Sequence, residues 1–190
     1  MSFCPKEYQS LIIQTFSSAT LPVYGQVATV NQDGRPEVRT VHFHYIENPE
    51  SIGFNTHIES HKWQDLKKNP WVAGCYYREE KNVQIRWEGK AELILPTDKK
   101  QTPLLDRLWL HMREDVRREY WEDAGNKNPD LTKRSPNLGT VLCFPDRWNI
   151  YEMNETSFSK GTCSDFRLSG QEWTKFQVSL VNGQELDRSR

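Results

Sequence analysis

Short stretches of alternating apolar and polar residues recur along this 190-residue chain, one following another at intervals of about ten residues. The clearest of them runs from Val83 to Ile94. Successive side chains of a β-strand point to opposite faces of a sheet, so each stretch predicts a strand with one buried face. Closely spaced strands joined by turn residues favour an antiparallel sheet that closes into a barrel.

The predicted strands are residues 24–30, 37–46, 51–56, 71–77, 83–94, 140–144, 148–153, 165–168 and 173–181. Apolar residues three and four apart predict helices over 5–18, 60–69, 102–112 and 114–121. Ser60 suits the N-cap of the second helix, and Pro70 stops it. We therefore expect a mainly β fold with flanking helices (α+β), in which the helices pack outside the barrel.

The chain is long enough for one domain with a sizeable core, and we assign residues 1–190 to it. Residues 123–137 are rich in Gly, Asn, Pro, Asp, Lys and Ser, which predicts a long exposed loop. Residues 154–164 are polar, and we expect them to form a second, mobile loop.

Charge and cysteine usage narrow the class of protein. The 25 basic residues are balanced by 26 acidic ones, so bulk charge favours neither nucleic acid nor an anionic membrane surface. The sequence contains no long apolar run and no secretory leader, and we expect a cytoplasmic protein. Four widely spaced cysteines without a CxxC pair indicate reduced thiols rather than a disulfide framework or a thiolate metal site. The 7 Trp, 7 Tyr and 8 Phe suit core packing, a flat ligand or a subunit interface.

A candidate phosphate-binding group lies between Arg39 and Lys62. A phosphomonoester is close to a dianion at neutral pH and needs positive charge and several fixed hydrogen-bond donors. Arg39 offers a bidentate guanidinium, Lys62 a point charge, and Thr56 and Ser60 their hydroxyl groups. Because Ser60 opens a helix, the free N–H groups of the first turn would face the same anion.

The order of several short motifs resembles the FMN-binding split barrel of the pyridoxamine 5′-phosphate oxidase-like superfamily. The motifs are Arg39-Thr40-Val41, Phe54-Asn55-Thr56, Glu59-Ser60-His61-Lys62, Asn69-Pro70 and Val83-Gln84-Ile85-Arg86-Trp87-Glu88-Gly89. Asn69-Pro70-Trp71-Val72, the paired Tyr76 and Tyr77 and the later RREYW are similar to the cyanobacterial and plant branch. The resemblance covers residues 8–122 and implies a six-stranded antiparallel split barrel and a homodimer with FMN at its interface.

The resemblance also implies a set of cofactor-binding residues. They are Arg39, Thr40, Val41, His44, Asn55, Thr56, Ser60, His61, Lys62 and Gln84. Arg39 and Lys62 would hold the phosphate, and His44 would lie near the flavin ring and the substrate. Arg39 and His44 point to opposite faces of an unbroken strand, so we expect a bulge or bend between them.

Three departures from the family pattern bear on the reaction. His61 stands where the family has an Arg, so that one charge becomes pH-dependent, and His44 stands in place of a Lys. In the segment Phe166-Arg167-Leu168-Ser169, only Arg-Leu remains of the family's Arg-Leu-His substrate motif, which leaves Arg167 as the candidate substrate residue. We therefore expect an FMN-dependent oxidoreductase with a small-molecule substrate that the sequence does not specify, rather than pyridoxal phosphate synthesis.

Two alternatives stay open at the level of sequence. The eroded substrate motif would also fit a non-catalytic module that binds flavin or acts through its dimer surface. His42, His44, His57 and His61 lie within twenty residues, which makes a haem or metal site conceivable. Strand histidines without a Cys or HExxH pattern are more often solvated, and we assign no metal ligand.

Overall fold

The computed structural model describes residues 3–17, 22–156 and 160–178. Its strands are β1 Val23–Val30, β2 Pro36–Glu47, β3 Glu50–His57, β4 Trp71–Arg78, β5 Val83–Ile94, β6 Leu138–Glu152, β7 Thr162–Ser169 and β8 Glu172–Val178. Its α-helices are α1 Gln9–Phe16, α2 His61–Lys68, α3 Thr102–His111 and α4 Glu114–Asp123. Single 3-10 turns at Lys6–Tyr8 and Glu79–Lys81 precede α1 and β5.

The first six strands form a closed antiparallel barrel. Their order in the sheet is β3-β2-β1-β4-β5-β6, and a further pairing of β3 with β6 closes the circle. The β7–β8 hairpin continues the sheet beyond β6 and lies outside this closure. The predicted six-stranded, mainly β architecture is confirmed.

β6 corrects the predicted pair of strands at 140–144 and 148–153, because the chain between them does not turn. Gly89 pairs with Pro145 and Glu88 with Arg147, which leaves Asp146 as an extra residue on β6. Such a bulge accommodates Pro145, whose missing N–H would interrupt a regular ladder. The strand therefore continues for 15 residues: its first half pairs with β3 and its second half with β7.

Other predicted boundaries shift by a few residues. The first helix is preceded by the 3-10 turn, and its predicted last residue, 18, lies outside the described residues. The predicted loop at 154–164 is shorter at its end, since β7 already begins at Thr162, and residues 157–159 lie outside the described part. Of the predicted last strand, residues 179–181 also lie outside it.

One hydrophobic cluster fills the inside of the barrel, and a second covers part of its outer face. The interior is filled by large aromatic side chains, among which Trp87, Trp148, Phe43 and Phe54 are fully buried. Outside the barrel, the apolar face of α3 covers a second cluster. That cluster consists of Ile46, Ile94, Leu104, Leu105, Leu108 and Leu142. The helix thus buries the outward side chains of three strands, as expected for a helix packed against a sheet.

Residues 124–137 contain no helix or strand, yet side chains of α3 and α4 hold this segment in place. The indole of Trp109 and the guanidinium of Arg117 both donate to the carbonyl oxygen of Leu131, at 2.9 and 2.8 Å. Ser135 is fully buried and donates to the carbonyl oxygen of Tyr120. The segment is therefore anchored at several points along its length.

Gly89 is required at the bulge because no side chain fits there. A Cβ atom at this position would lie 2.1 Å from the carbonyl oxygen of Phe144, which is backbone and cannot rotate away. We expect Gly89→Ala to lower the free energy of unfolding by about 3 kcal/mol. Glu92→Ala, an exposed position on the same strand, should change it by less than about 0.5 kcal/mol. Urea titrations of both variants test this, and equal losses would contradict the role of the bulge.

Candidate functional site

The barrel wall is open between β2 and β3. Their ladder covers only four residue pairs, from His44 opposite Gly53 to Glu47 opposite Glu50. Beyond these pairs β2 continues along β1, whereas β3 continues along β6. We call the resulting gap, between residues 36–43 of β2 and 54–57 of β3, the split. A gap in a sheet leaves side chains and backbone groups accessible that a closed ladder would cover.

Three polar side chains come together at one end of the split. The ammonium group of Lys62, on the first turn of α2, donates to the Thr56 hydroxyl at 2.8 Å. The Thr56 and Ser60 hydroxyl oxygens lie 3.0 Å apart. Ser60 occupies the N-cap position of α2, as predicted, but its side chain makes no capping hydrogen bond. Its hydroxyl pairs with Thr56 instead, because β3 brings Thr56 within reach.

Arg39 lies nearby and is held by fixed acceptors. Its Nη1 atom donates to the Thr29 hydroxyl at 2.6 Å and to the Glu37 carbonyl oxygen at 2.9 Å. Its Nη2 atom donates to the Glu37 carboxylate at 2.8 Å and lies 3.6 Å from a carboxylate oxygen of Asp65. Arg39 and these neighbours, together with Thr56, Ser60 and Lys62, are called the grip below.

Electrostatics link the two cations of the grip. Burial lowers the pKa of the Lys62 ammonium below its ordinary value, and the positive charge of Arg39 lowers it further. Within residues 3–17, 22–156 and 160–178, no carboxylate forms an ion pair with Lys62. An anion bound between Lys62 and Arg39 would relieve this repulsion, so the grip is suited to a negatively charged group.

Asn55 carries an unsatisfied donor on the β3 side of the split. Its side-chain oxygen accepts a hydrogen bond from Thr140 at 2.7 Å, whereas its Nδ2 atom is buried without a partner in the described chain. A buried amide donor left unpaired costs about 1–3 kcal/mol. A ligand with a hydrogen-bond acceptor in the split could satisfy it.

His44 and His42 lie on the outer face of the barrel, away from the grip. The β1–β2 ladder runs without a register shift from Pro36 to Phe43, so the expected bulge is absent between Arg39 and Phe43. The two imidazole rings are 4.2 Å apart, and Tyr24 contacts His42 at 5.4 Å. Burial, with smaller contributions from the charges of His42 and His111, lowers the pKa of His44 to about 4. His44 is therefore uncharged at neutral pH.

The remaining predicted residues are dispersed. Thr40 is exposed, and His61 is exposed at the start of α2, whereas Val41 points into the barrel core. Gln84 lies on the outer face of β5, opposite Tyr77, and β1 and β4 separate it from β2. Gln84 is therefore two strands away from β2, the strand that carries Arg39 of the grip.

Arg167 lies on β7, outside the barrel. Its Nε atom donates to the fully buried carboxylate of Asp165 at 3.0 Å, and its guanidinium lies 4.5 Å from the centre of the Phe176 ring. Arg147 donates to the same carboxylate at 2.7 Å. One buried carboxylate thus holds two arginines on the β6–β7 surface.

Thr29, Glu37 and Asp65 were missed by the sequence analysis, although they fix Arg39. Asp65 offers the clearest signal, because it is a carboxylate between Trp63 and Leu66 on the buried side of a short amphipathic helix. A buried carboxylate requires a partner, which would have directed attention to a nearby cation.

The described residues contain no group of three His, Cys, Asp or Glu side chains arranged to hold a metal ion. None of the helices in the described ranges is both long and apolar enough to cross a membrane.

Fold and site together define a split-barrel protein with a cluster of cations and hydroxyl groups, the grip, beside the split. A sequence profile described as "Pyridoxamine 5'-phosphate oxidase" matches residues 17–135, more than half of the chain. A pyridoxine/pyridoxamine 5'-phosphate oxidase of Mannheimia succiniciproducens is 37% identical over 177 residues, which cover 83% of this chain and 79% of that protein. The chain therefore belongs to the pyridoxamine 5'-phosphate oxidase family.

Other comparisons extend this result. A pyridoxine/pyridoxamine 5'-phosphate oxidase 2 of Arabidopsis thaliana is 38% identical over 85 residues, and the match spans 44% of this chain and 43% of that protein. Two solved structures share the fold. A pyridoxamine 5'-phosphate oxidase-related, FMN binding protein of Nostoc punctiforme has a TM-score of 0.78 at 21% identity, covering 94% of this chain and all of that one. PhzG of Burkholderia lata has a TM-score of 0.67 at 19% identity, covering 92% and 89%.

The neutral state of His44 predicts how stability depends on pH. The folded protein binds this proton less readily than the unfolded chain, whose histidine has a pKa near 6.5. The contribution of neutral His44 to the free energy of unfolding is therefore complete above pH 6.5. As the pH falls towards 4, up to about 3 kcal/mol of it is lost. Urea unfolding between pH 7 and 4 should show a shallower pH dependence for His44→Gln than for the wild type. Identical slopes would show that His44 is not the titrating group.

Proposed function

We propose that this protein binds FMN, with the phosphate in the grip, and acts as a homodimeric oxidoreductase on a small molecule. The observation that carries the proposal is that Thr56 contacts both Lys62 and Ser60 beside Arg39, at the opening of the barrel. Membership of the family and the similarity to an FMN binding protein of the same fold support the choice of FMN.

The residues present fit a phosphate group. Lys62 and Arg39 supply positive charge, Thr56 and Ser60 supply hydroxyl groups, and the first N–H groups of α2 add donors at the positive end of the helix dipole. His61 is exposed at the same helix start, where its ring can approach the phosphate from solvent. We propose that these donors hold the cofactor at one end, while Asn55 and the backbone from Thr40 to Val41 contact the rest of it along the split.

Bound FMN supplies hydride and electron transfer at its ring, and the protein supplies binding and orientation. We place His44 beside the ring and the substrate, as the family resemblance implies. Because the imidazole is neutral, one of its ring nitrogens can accept a hydrogen bond from the substrate. A lysine at this position would instead present a positive charge, so this chain favours a substrate without a phosphate group there.

A second copy of the chain would complete the site. Gln84 lies on the outer face of the barrel, separated by two strands from the split of its own chain. That face also exposes Tyr24, Val38, Trp71 and Tyr77 and carries a cavity of about 390 Å³ lined in part by Gln26, Cys75, Arg86 and Asn149. Aromatic residues on an accessible face are typical of subunit interfaces. We propose that two barrels pack through this face, so that Gln84 of one chain contacts FMN in the split of the other.

Two further assignments belong to this proposal. Arg167 is the candidate substrate contact, because its guanidinium is about half exposed although Asp165 and Phe176 fix its direction. Cys4, Cys75, Cys143 and Cys163 form no disulfide bond in the part of the chain that the structure describes, which suits the reducing cytoplasm that we propose as the location.

FMN titration of the purified protein tests the grip. We expect flavin fluorescence to be quenched on binding, and Arg39→Ala and Lys62→Met each to weaken FMN binding by about 1.5–3 kcal/mol. Lys67→Met removes an exposed lysine from the last turn of the same helix and should leave the affinity unchanged. Riboflavin, which lacks the phosphate, should bind all four proteins equally. Unchanged FMN affinity in both grip variants would exclude this phosphate site.

The interface predicts that assembly and cofactor binding are coupled. Val38 is 66% exposed and Tyr77 is 41% exposed on the outer face, so Val38→Glu and Tyr77→Glu should shift the dimer towards monomers. FMN affinity should fall in parallel at low protein concentration, because each site would lose Gln84 of the other chain. Leu110→Glu, at a 55% exposed position on α3, should alter neither property. Sedimentation equilibrium with FMN titration measures both, and full FMN binding by a monomer would refute the shared site.

A further inference from the structure

A buried carboxylate lies inside the grip, next to the groups that would bind phosphate. Asp65 is only 4% exposed and follows Lys62 on α2 by almost one helical turn. One of its oxygens accepts a hydrogen bond from the Thr29 hydroxyl at 2.8 Å and lies 3.6 Å from the Arg39 guanidinium. Burying a carboxylate is unfavourable unless it is paired, so its place beside an anion site requires an explanation.

The hydroxyl of Thr29 connects Asp65 to Arg39 in a fixed direction. A hydroxyl has one hydrogen, and that of Thr29 is donated to Asp65. The same oxygen accepts the Arg39 Nη1–H at 2.6 Å. Thr29 is 1% exposed, so water does not compete for either bond. The chain from Arg39 through Thr29 to Asp65 therefore fixes where the guanidinium lies at the split.

The charges of the grip offset one another. Arg39 and Lys62 contribute two positive charges, and Glu37 and Asp65 contribute two negative ones close to Arg39. Formal charge is thus near zero before His61 is counted. A phosphate dianion in the grip would be attracted by the two cations and repelled by the two carboxylates, and the repulsion from Asp65 is poorly screened because Asp65 is buried.

We propose that Asp65, acting through Thr29 on Arg39, sets how tightly the grip holds phosphate: it fixes the guanidinium and at the same time weakens the binding of the anion. The inference rests on the proposed function, because it takes the grip as the phosphate site of FMN. Its consequence is that the grip binds phosphate less tightly than its two cations alone would.

Two substitutions with opposite expected effects separate the negative charge of Asp65 from its role in aligning the Arg39 guanidinium. Asp65→Asn keeps an oxygen that accepts the Thr29 hydrogen bond and removes the negative charge, so FMN affinity should rise about tenfold. Thr29→Val keeps the shape but removes the link that aligns Arg39, so FMN affinity should fall about tenfold. Thr29→Ser keeps the hydroxyl and should restore affinity to within about twofold of the wild type.

Two controls identify the cause. Glu47→Gln removes a carboxylate from the exposed far end of the strand that carries Arg39, and it should change FMN affinity less than about twofold. Riboflavin affinity should be the same in every variant, because the proposed effect acts on the phosphate alone. Thermal unfolding of each variant verifies that the grip is folded during the titration.

Titration of FMN, riboflavin and inorganic phosphate into these proteins decides the matter. Tighter binding of FMN and phosphate to Asp65→Asn, with weaker binding to Thr29→Val, supports the proposal. Weaker or unchanged binding to Asp65→Asn overturns it, even where the wild type binds FMN. If the variants alter phosphate binding as expected but no protein binds FMN, the role of Asp65 stands and the proposed cofactor is wrong. If no protein binds FMN or phosphate, both are wrong.

Discussion

The pairing of β3 with β6 is the constraint on which the rest of the structure depends. It closes a six-stranded barrel, and it holds residues 54–57 of β3 in the sheet where β2 does not pair with them. The barrel can therefore open between β2 and β3 without exposing the aromatic core, because Phe54 still packs inside against Phe43. A site at the split gains access to solvent and ligands, while the closed side of the barrel supplies the rigidity that fixed donors require.

Much of the fold follows from local sequence signals. The alternation from Val83 to Ile94 gave one strand with the observed limits, and the Ser60 and Pro70 signals bounded α2 to within a residue or two. The single long β6 could not be foreseen in the same way. Pro145 and Asp146 have the local character of a turn, and only the pairing of β6 with β5 across a bulge reveals a continuous strand. Long-range pairing overrides local propensity at such points.

In the candidate site, too, local sequence signals predicted some residues, whereas others depend on long-range contacts. Arg39, Thr56, Ser60 and Lys62 were found because donors and cations near a helix start have a direct chemical meaning. Thr29 and Asp65 were missed because their role depends on the distance between β1 and α2, which no local pattern encodes. Gln84 lies on the outer face of β5, two strands away from β2, and no local sequence pattern encodes that distance.

The second half of β6 extends the sheet beyond the closed barrel, where the sequence can change without disturbing the barrel. A closed barrel has no free edge. The second half of β6 pairs with β7 outside the closed circle, and β7 pairs with β8. In the part of the chain that the structure describes, β8 pairs only with β7 and therefore forms a free edge. Changes in length or sequence along that edge leave the hydrogen bonds of the closed circle intact. The β7–β8 hairpin that carries Arg167 is therefore the part of the sheet in which such changes disturb the barrel least.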